Sequence, residues 1–167
     1  MTPTIRILGI DPGLRLTGWG VIEACGPRLS WVAHGVVAPD TNADMADRLA
    51  LLAEGIRAVI IAHAPNESAV EETFVNINPR STLLLGQARG VALATLAAAR
   101  LKVAEFSARK VKQSVVGTGA ADKTQVAFMV RRLLPKAGEV SADAADALAV
   151  AICCAHHRPM AQQRLKA

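Results

Sequence analysis

Residues 7–13 read Ile7-Leu8-Gly9-Ile10-Asp11-Pro12-Gly13, an apolar run that ends at an acidic residue and a turn. Pro presets φ at the first corner of a turn, and Gly accepts the positive φ that the second corner can require. A strand pattern resumes over residues 17–24, which predicts two strands joined by a short polar loop. The carboxylate of Asp11 then lies at a strand end. Because Asp is also a common first residue of turns, this stretch alone leaves a structural and a chemical role equally open.

The next segments extend this pattern into a meander followed by a helix. Residues 29–37 predict a third strand, separated from the second by the turn signal Gly26-Pro27. From Asp44 onward, apolar residues recur at alternating spacings of four and three, which is typical of a helix packed on a sheet. That helix should end before Pro65, because the residue preceding a proline disfavours helical geometry.

The second half alternates strands and helices. We predict strands over residues 68–74 and 102–106 and helices over residues 81–100, after Ser107, over 123–134 and from 141 to 152. Strands joined by helices pair in parallel, whereas the meander is antiparallel. The sequence therefore predicts an α/β fold, a mixed five-stranded sheet flanked by helices on both faces. We expect one domain over residues 1–157 and a flexible tail over residues 158–167.

Composition narrows the class of protein. The 167 residues carry a net charge of +5 and a pI near 9.6, which favours a polyanionic partner. No spanning apolar run and no signal pattern stand out, so we expect a cytoplasmic protein. Three cysteines, two of them adjacent, argue against a disulfide framework. The spacing of Cys153, Cys154, His156 and His157 matches no zinc finger.

Four acidic positions carry the chemical hypothesis. Asp11 ends the first strand, a glutamate ends the fourth, and Asp143 and Asp146 share one face of the last helix. In an extended strand Glu71 and Glu72 point to opposite faces, so only one of them can face Asp11. Oxygen ligands gathered at a sheet edge suit Mg²⁺ or Mn²⁺, and two such ions support phosphoryl transfer. The sequence therefore predicts a metal-dependent nuclease. The alternatives are that the glutamate only ends a solvated strand and that Asp143 and Asp146 only stabilise the helix through its dipole.

Several glycines and polar residues have local explanations. The segment with Gly117 and Gly119 does not contain the other residues that a phosphate-binding loop requires. Asp122 and Gln125 instead predict a capping box for the helix that begins at Lys123. Lys123 at that helix start could help to hold a phosphate. In the long helix over residues 81–100, glycines at 86 and 90 predict close backbone packing against a neighbour.

Taken together, the motifs resemble, in order and spacing, those of the RuvC family of Holliday junction resolvases. They are Gly9-Ile10-Asp11-Pro12-Gly13, Thr17-Gly18-Trp19-Gly20, Ala69-Val70-Glu71-Glu72-Thr73-Phe74, Gly86-Gln87-Ala88-Arg89-Gly90-Val91-Ala92, Val111-Lys112-Gln113 and Asp143-Ala144-Ala145-Asp146-Ala147-Leu148-Ala149. The first motif alone is shared with actin-like ATPases and other ribonuclease H-like folds, so it is the combination that is specific. The resemblance extends over nearly the whole chain up to His157.

The resemblance implies a ribonuclease H-like fold and a homodimer that makes symmetric, paired nicks in two like strands of a four-way DNA junction. Asp11, Glu71, Asp143 and Asp146 would then hold two Mg²⁺ ions, with Mn²⁺ as a substitute. The ends left would be a 5′ phosphate and a 3′ hydroxyl. Glu72 stands where the family usually has Gln, so it stays a second candidate ligand. A branch-migration motor of the RuvAB type is the expected partner in recombination and DNA repair.

DNA-binding residues follow from the same resemblance. Phe74 falls where the family stacks an aromatic ring on an unpaired base, although it could also be a core residue. Lys112 and Lys123 match basic residues that contact DNA near the scissile phosphate. Arg89, Arg109 and Lys110 are further candidates.

Three rival functions remain at this point. The nearest is a related nuclease that acts on RNA or on unstructured DNA with the same acids. A junction-binding protein without activity is the second, and the intact acids argue against it. An actin-like ATPase needs two lobes, for which 167 residues are too few.

Overall fold

The computed structural model of the chain describes residues 3–72 and 77–158. Its strands are β1 (Ile5–Asp11), β2 (Thr17–Cys25), β3 (Arg28–Val37), β4 (Glu67–Glu71) and β5 (Lys102–Phe106). Its helices are α1 (Met45–His63), α2 (Pro79–Ala98), α3 (Ala108–Val116), α4 (Lys123–Leu133) and α5 (Ala142–His157), with a short 3₁₀ turn at Pro135–Ala137. In the described residues, no helix is long and apolar enough to cross a membrane.

The five strands form one mixed sheet in the order β3-β2-β1-β4-β5. β1, β2 and β3 are antiparallel neighbours, as the short turns between them predict. β4 pairs in parallel with β1 on one side and with β5 on the other. The predicted mixed five-stranded sheet is confirmed. Because β1 and β4 are parallel and central, their carboxyl ends share one edge of the sheet.

Helices cover both faces of this sheet, as predicted. Helices α1 and α2 pack on the face that carries Leu8, Ile10 and Val70. Helices α3, α4 and α5 pack on the opposite face, which carries Ile7 and Ala69. Every residue of α5 from Ala147 to Cys154 is buried, which explains why this helix is built almost entirely from small and aliphatic side chains.

Local sequence signals set the helix starts. The Asp122 side chain accepts a hydrogen bond from the Gln125 backbone N–H, and the Gln125 side chain accepts one from the Asp122 backbone N–H, so the predicted capping box is present. Ser107 and Ser141 cap α3 and α5 in the same way with their hydroxyl oxygens. Helix α1 ends at His63, and its C-cap, Ala64, lies in the left-handed region at φ 44° just before Pro65.

Three expectations need correction. The φ of Gly13 is not positive, and the chain bends at Leu14 and Arg15 instead of turning at Pro12-Gly13. The fourth strand covers Glu67–Glu71, so Glu72 lies beyond it, and residues 73–76 lie outside the described residues. Within residues 3–72 and 77–158, Gly86 and Gly90 make no close packing contact, since a Cβ at either position would meet no described atom within 4 Å. A helical glycine pair has the same appearance in sequence whether its face is buried or open.

The carboxyl end of α5 is fastened to the sheet. Arg158 donates two hydrogen bonds to Glu67, with Nε and Nη2 each 3.0 Å from a carboxylate oxygen. This ion pair joins the residue after α5 to the first residue of β4. The domain boundary predicted after His157 therefore lies one residue before a contact with the sheet, while residues 159–167 lie outside the described part of the chain.

Candidate active site

Asp11 and Glu71 lie side by side at the carboxyl edge of the sheet. The parallel register pairs Ile10 with Val70, so the next residue on each strand is acidic. Side chains alternate along a strand, and those of Ile10 and Val70 enter the core under α1 and α2. The carboxylates of Asp11 and Glu71 therefore point to the opposite face of the sheet, on which α5 lies.

The first turns of α5 reach this edge because two glycines admit the helix. A Cβ on Gly18, which pairs with Asp11 across the β1–β2 ladder, would overlap the carbonyl oxygen of Asp143. A Cβ on Gly9 would overlap the carbonyl oxygen of Ala147. The sheet and α5 thus meet backbone to backbone, and this contact brings Asp143 and Asp146 to the strand ends.

The carboxylates share one electrostatic environment. Burial, followed by the charges of Glu71 and Asp146 and by the smaller effect of Asp143, raises the pKa of Asp11 to about 8, against a lowering effect of Lys123. Burial and the charge of Asp146 raise the pKa of Glu71 to about 7, although Lys123 and Lys112 lower it. The acids of three separate elements therefore act on each other, as the sequence predicts.

The structure distinguishes between the two adjacent glutamates. Glu71 is half-buried and contributes to the raised pKa of Asp11, whereas Glu72 is exposed and follows the last residue of β4. The backbone N–H of Glu72 still donates to the carbonyl of Phe106 at 2.8 Å, which continues the pairing of β4 with β5. Glu71 is thus the candidate ligand.

Two predicted basic residues lie near the acids. The Nζ atom of Lys123 is 3.1 Å from Oδ2 of Asp146, and this hydrogen bond raises the pKa of Lys123. The Lys123 side chain is 79% exposed and that of Asp146 is 19% exposed, so the cation reaches inward from solvent. Lys112 on α3 is close enough to lower the pKa of Glu71.

The loop after Asp11 is closed by Thr17, the first residue of the Thr17-Gly18-Trp19-Gly20 motif, for which no separate role was predicted. The fully buried hydroxyl of Thr17 donates to the Gly13 carbonyl at 2.6 Å and accepts from the Gly13 N–H at 3.1 Å. Arg48 on α1 donates to the carbonyl of Leu14 at 3.1 Å. These contacts fix the turn that follows the Asp11 carboxylate. The signal available in sequence was a threonine four residues after the turn glycine.

The donor set fits a hard divalent cation. Two carboxylates at this edge, those of Asp11 and Glu71, have raised pKa values. A bound cation would relieve this arrangement, and oxygen donors suit Mg²⁺ or Mn²⁺. Within residues 3–72 and 77–158, however, no three Asp, Glu, His or Cys side chains are close enough to enclose an ion. The acids therefore influence each other electrostatically but do not form a closed coordination shell, and Asp146 is hydrogen-bonded to Lys123.

The other predicted DNA-binding residues have different surroundings. Arg109 and Lys110 are exposed on α3. Arg89, by contrast, forms an ion pair with Glu105, and its Nε donates to the backbone carbonyl of Glu71 at 3.4 Å. Phe74 lies outside the described residues. The DNA contacts of all four residues stay predictions.

The cysteine and histidine cluster at the end of α5 belongs to the packing of the fold. Burial raises the pKa of Cys153 to about 11 and that of Cys154 to about 12, so both thiols stay protonated near neutral pH. The ring centroids of His157 and Phe106 are 5.6 Å apart with the ring planes tilted by 42°, and Nδ1 of His156 is 3.1 Å from the Ser114 hydroxyl oxygen. These side chains tie α5 to α3 and β5.

Comparison with known proteins decides the family. The sequence model of the family described as "Crossover junction endodeoxyribonuclease RuvC" matches residues 7–154. The chain belongs to the RuvC family. RuvC of Hyphomonas neptunium is 61% identical over 164 residues, which cover 98% of each chain. RuvC of Caulobacter sp. K31 is 62% identical over 154 residues, 92% of this chain and 91% of the relative.

Solved structures agree with this assignment. The RuvC of T. thermophilus in complex with a Holliday junction substrate superimposes with a TM-score of 0.83 at 30% identity, over 89% of this chain and 92% of that one. The yeast mitochondrial Holliday junction resolvase Ydc2 superimposes with a TM-score of 0.70 over 93% of this chain and 81% of its own. Its identity is 14%, so this second likeness shows the fold alone. The predicted ribonuclease H-like fold is confirmed.

Proposed function

We propose that this RuvC-family chain is a structure-specific endonuclease that resolves Holliday junctions by symmetric, paired nicks in two like strands, during homologous recombination and DNA repair. The observation that carries the proposal is that the charges of Glu71, Asp146 and Asp143 act on Asp11, at the edge of the sheet where the start of α5 contacts Gly18. Membership of the family, and the likeness to a RuvC solved with a junction substrate, support the choice of substrate.

The four carboxylates would hold two Mg²⁺ ions, with Mn²⁺ as a substitute. Such ions supply activation of a water and charge stabilisation on the leaving oxygen. The chain's own part is to place four oxygen donors at the edge where a backbone phosphate can approach and to exclude bulk water beneath it with the packed start of α5. Hydrolysis of the bond between phosphorus and the 3′ oxygen leaves a 5′ phosphate and a 3′ hydroxyl, which a ligase can rejoin.

Basic residues would hold the DNA beside the acids. Lys112 and Lys123 would contact the phosphates next to the scissile bond, and the lowering effect of both lysines on the pKa of Glu71 supports this role. Arg109 and Lys110 on the exposed part of α3 would contact the backbone further away. Phe74 would stack on an unpaired base at the crossover, a contact worth about 1–3 kcal/mol. Together these residues would select an opened junction over a plain duplex.

A homodimer would place one such site on each of two opposed strands, because a four-way junction has two-fold symmetry. The exposed face of α2 is the surface that we assign to the dimer contact. Leu83 on this face is 69% exposed, and the backbone beside Gly86 and Gly90 is open. The close packing that these glycines predict would then be made with the second copy. A branch-migration motor of the RuvAB type is the further partner that we expect on the same junction.

Incision of a synthetic four-way junction tests the proposal, beside a linear duplex, a single DNA strand and a single RNA strand of the same sequence, with Mg²⁺, Mn²⁺ or EDTA. We expect paired nicks confined to the junction, dependent on the metal and religatable. Equal cutting of every DNA substrate, or preferential cutting of RNA, would instead indicate one of the related nucleases. Binding without incision would leave a junction-binding protein.

A further inference from the structure

Arg89 is the residue whose surroundings differ most from its predicted role. It lies on α2, beside Ala88, one of the residues by which the helix packs on the sheet. Its guanidinium does not extend into solvent, since the Arg89 side chain is only 22% exposed and is paired with Glu105 of β5. An arginine held by a carboxylate in this way has little freedom to follow a mobile phosphate.

The second partner of Arg89 is the backbone of the candidate ligand. Nε of Arg89 donates to the carbonyl oxygen of Glu71 at 3.4 Å, at the last residue of β4. The neighbouring contact is the 2.8 Å hydrogen bond from Glu72 N–H to the Phe106 carbonyl. Among the described residues this is the last hydrogen bond between the β4 segment and β5, so Glu71 lies at the end of the described ladder.

The register explains why Glu105 can serve as the anchor. Val70 pairs with Glu105, and Glu71 pairs with Phe106. The Glu105 side chain therefore points to the same face of the sheet as Val70, the face on which α2 lies. Glu71 points to the opposite face, toward α5. One residue of β5 therefore fixes the arginine on one side of the sheet, and the arginine holds the backbone from which Glu71 projects to the other side.

The geometry points to Arg89 and Glu105 as positioning residues for the active site, which hold the end of β4 so that the Glu71 carboxylate faces Asp11. This inference rests on the proposed metal-dependent nuclease function. Mutation of a residue that orients a metal ligand without touching the metal commonly lowers metal affinity or activity by about 10–100-fold. Arg89 would thus act through Glu71 and not by touching DNA.

Two substitutions test the inference: Arg89→Gln removes the positive charge of the pair, and Glu105→Gln removes the negative charge. We expect both variants to weaken Mn²⁺ binding measured by calorimetry without DNA, by about tenfold, and to raise the Mg²⁺ concentration for half-maximal cleavage to a similar degree. The double variant should be no worse than either single one, because the two residues act as a unit. Junction affinity and its salt dependence, measured in EDTA, should stay as in the wild type.

Glu23→Gln is the matched control. Glu23 pairs with Arg6 at 2.6 Å with a similar partial exposure, but Arg6 and Glu23 face each other near the opposite end of β1. This variant should leave the metal requirement unchanged. If it alters Mn²⁺ binding as much as Glu105→Gln does, the effect is a general loss of sheet stability and the inference fails.

Two further outcomes would overturn the inference. A DNA-contacting Arg89 predicts that Arg89→Gln weakens junction binding with a smaller salt slope, while Glu105→Gln leaves metal binding unchanged. A purely structural pair predicts a lower Tm with an unchanged metal requirement. Because Mn²⁺ binding is measured on the protein alone, these outcomes are readable even if wild-type protein fails to cut the junction, the result that would contradict the proposed function itself.

Discussion

Lys123 and Asp146 form an ion pair at the rim of the acidic cluster, with Nζ of the lysine 3.1 Å from Oδ2 of the aspartate. A carboxylate oxygen that bonds to an ammonium group is not available to a metal ion. We therefore expect Lys123→Met to bind Mn²⁺ about two- to fivefold more tightly at pH 8.5, the range of an exposed ion pair, while it cuts the junction more slowly. Calorimetry without DNA measures the first effect.

Lys110→Met is the control for this prediction. Lys110 is an exposed cation on α3 that does not contribute to the shifted pKa values of Asp11 or Glu71. Its removal should leave Mn²⁺ affinity unchanged. Weaker metal binding by the Lys123 variant would show that the lysine helps to organise the carboxylates and does not compete for them.

Removal of single carboxylates should separate cleavage from binding. Asp11→Asn and Asp146→Asn are expected to abolish incision of the junction and to keep its affinity, because a metal ligand is lost and the phosphate contacts remain. Gel-shift titration in EDTA and an incision assay in Mg²⁺ measure the two properties. Asp47→Asn, on an exposed first turn of α1, should cut normally. A residue whose amide variant still cuts at the wild-type rate would be removed from the proposed metal site.

Stability of the metal-free protein should fall with rising pH. The pKa of Asp11 rises from 3.8 to about 8 in the fold, and that of Glu71 rises from 4.5 to about 7. Between these limits the folded chain binds more protons than the unfolded chain, so the free energy of unfolding decreases as pH increases through them. Above about pH 8 the decrease should stop.

The variant Asp11→Asn shows which part of this decrease in the free energy of unfolding is due to Asp11. Above pH 7 the loss should come mainly from Asp11 and amount to about 1 kcal/mol up to pH 8 after solvent screening, or roughly 2–4 °C in Tm. Thermal denaturation after chelation, at pH 5–9, measures it. The variant should keep the earlier decrease from Glu71 and lose the later one. An unchanged curve above pH 7 in the variant would contradict the raised pKa of Asp11.

Lys112→Ala should weaken junction binding and make it less sensitive to salt. Each phosphate contact contributes about 0.9 to the slope of log affinity against log salt concentration. We expect the slope to fall by about that amount, in titrations at several salt concentrations with EDTA. Lys136→Ala, an exposed cation in the 3₁₀ turn, provides the control with the same charge change. A slope that does not differ between the two variants would argue against a phosphate contact at Lys112.

Gly18→Ala should separate α5 from the sheet. The added Cβ would overlap the Asp143 carbonyl, and backbone on both sides leaves no room to adjust. We expect a loss of stability of about 1–3 kcal/mol, as for overpacked cores, together with loss of cleavage. At Gly119 the nearest atom belongs to the flexible Arg109 side chain, so Gly119→Ala should be milder. Chemical denaturation compares them, and equal losses would contradict the close approach.

Signals that act over a few residues were readable from the sequence. The end of the first strand at Asp11, the Asp122–Gln125 capping box and the Ser141 cap of α5 each depend on neighbours in the chain. The alternation of strands with helices predicted the mixed sheet for the same reason. These features follow from local backbone preferences and from hydrogen bonds that close within one turn.

Only the tertiary structure decided which side chains meet. From the residues alone either Glu71 or Glu72 could face Asp11, and the parallel register of β1 and β4 agrees with Glu71, the residue that the family resemblance implies. The pairing of Val70 with Glu105 gave Arg89 its partner, and Glu105 had no signal of its own because an exposed acid on a strand is ordinary. Gly18 contacts a helix that lies more than a hundred residues away in sequence, whereas Gly86 contacts no neighbouring element in the part of the chain that the structure describes. Sequence thus determined the elements and the kinds of groups at their ends, while distances between elements depend on register and close packing, which no short pattern encodes.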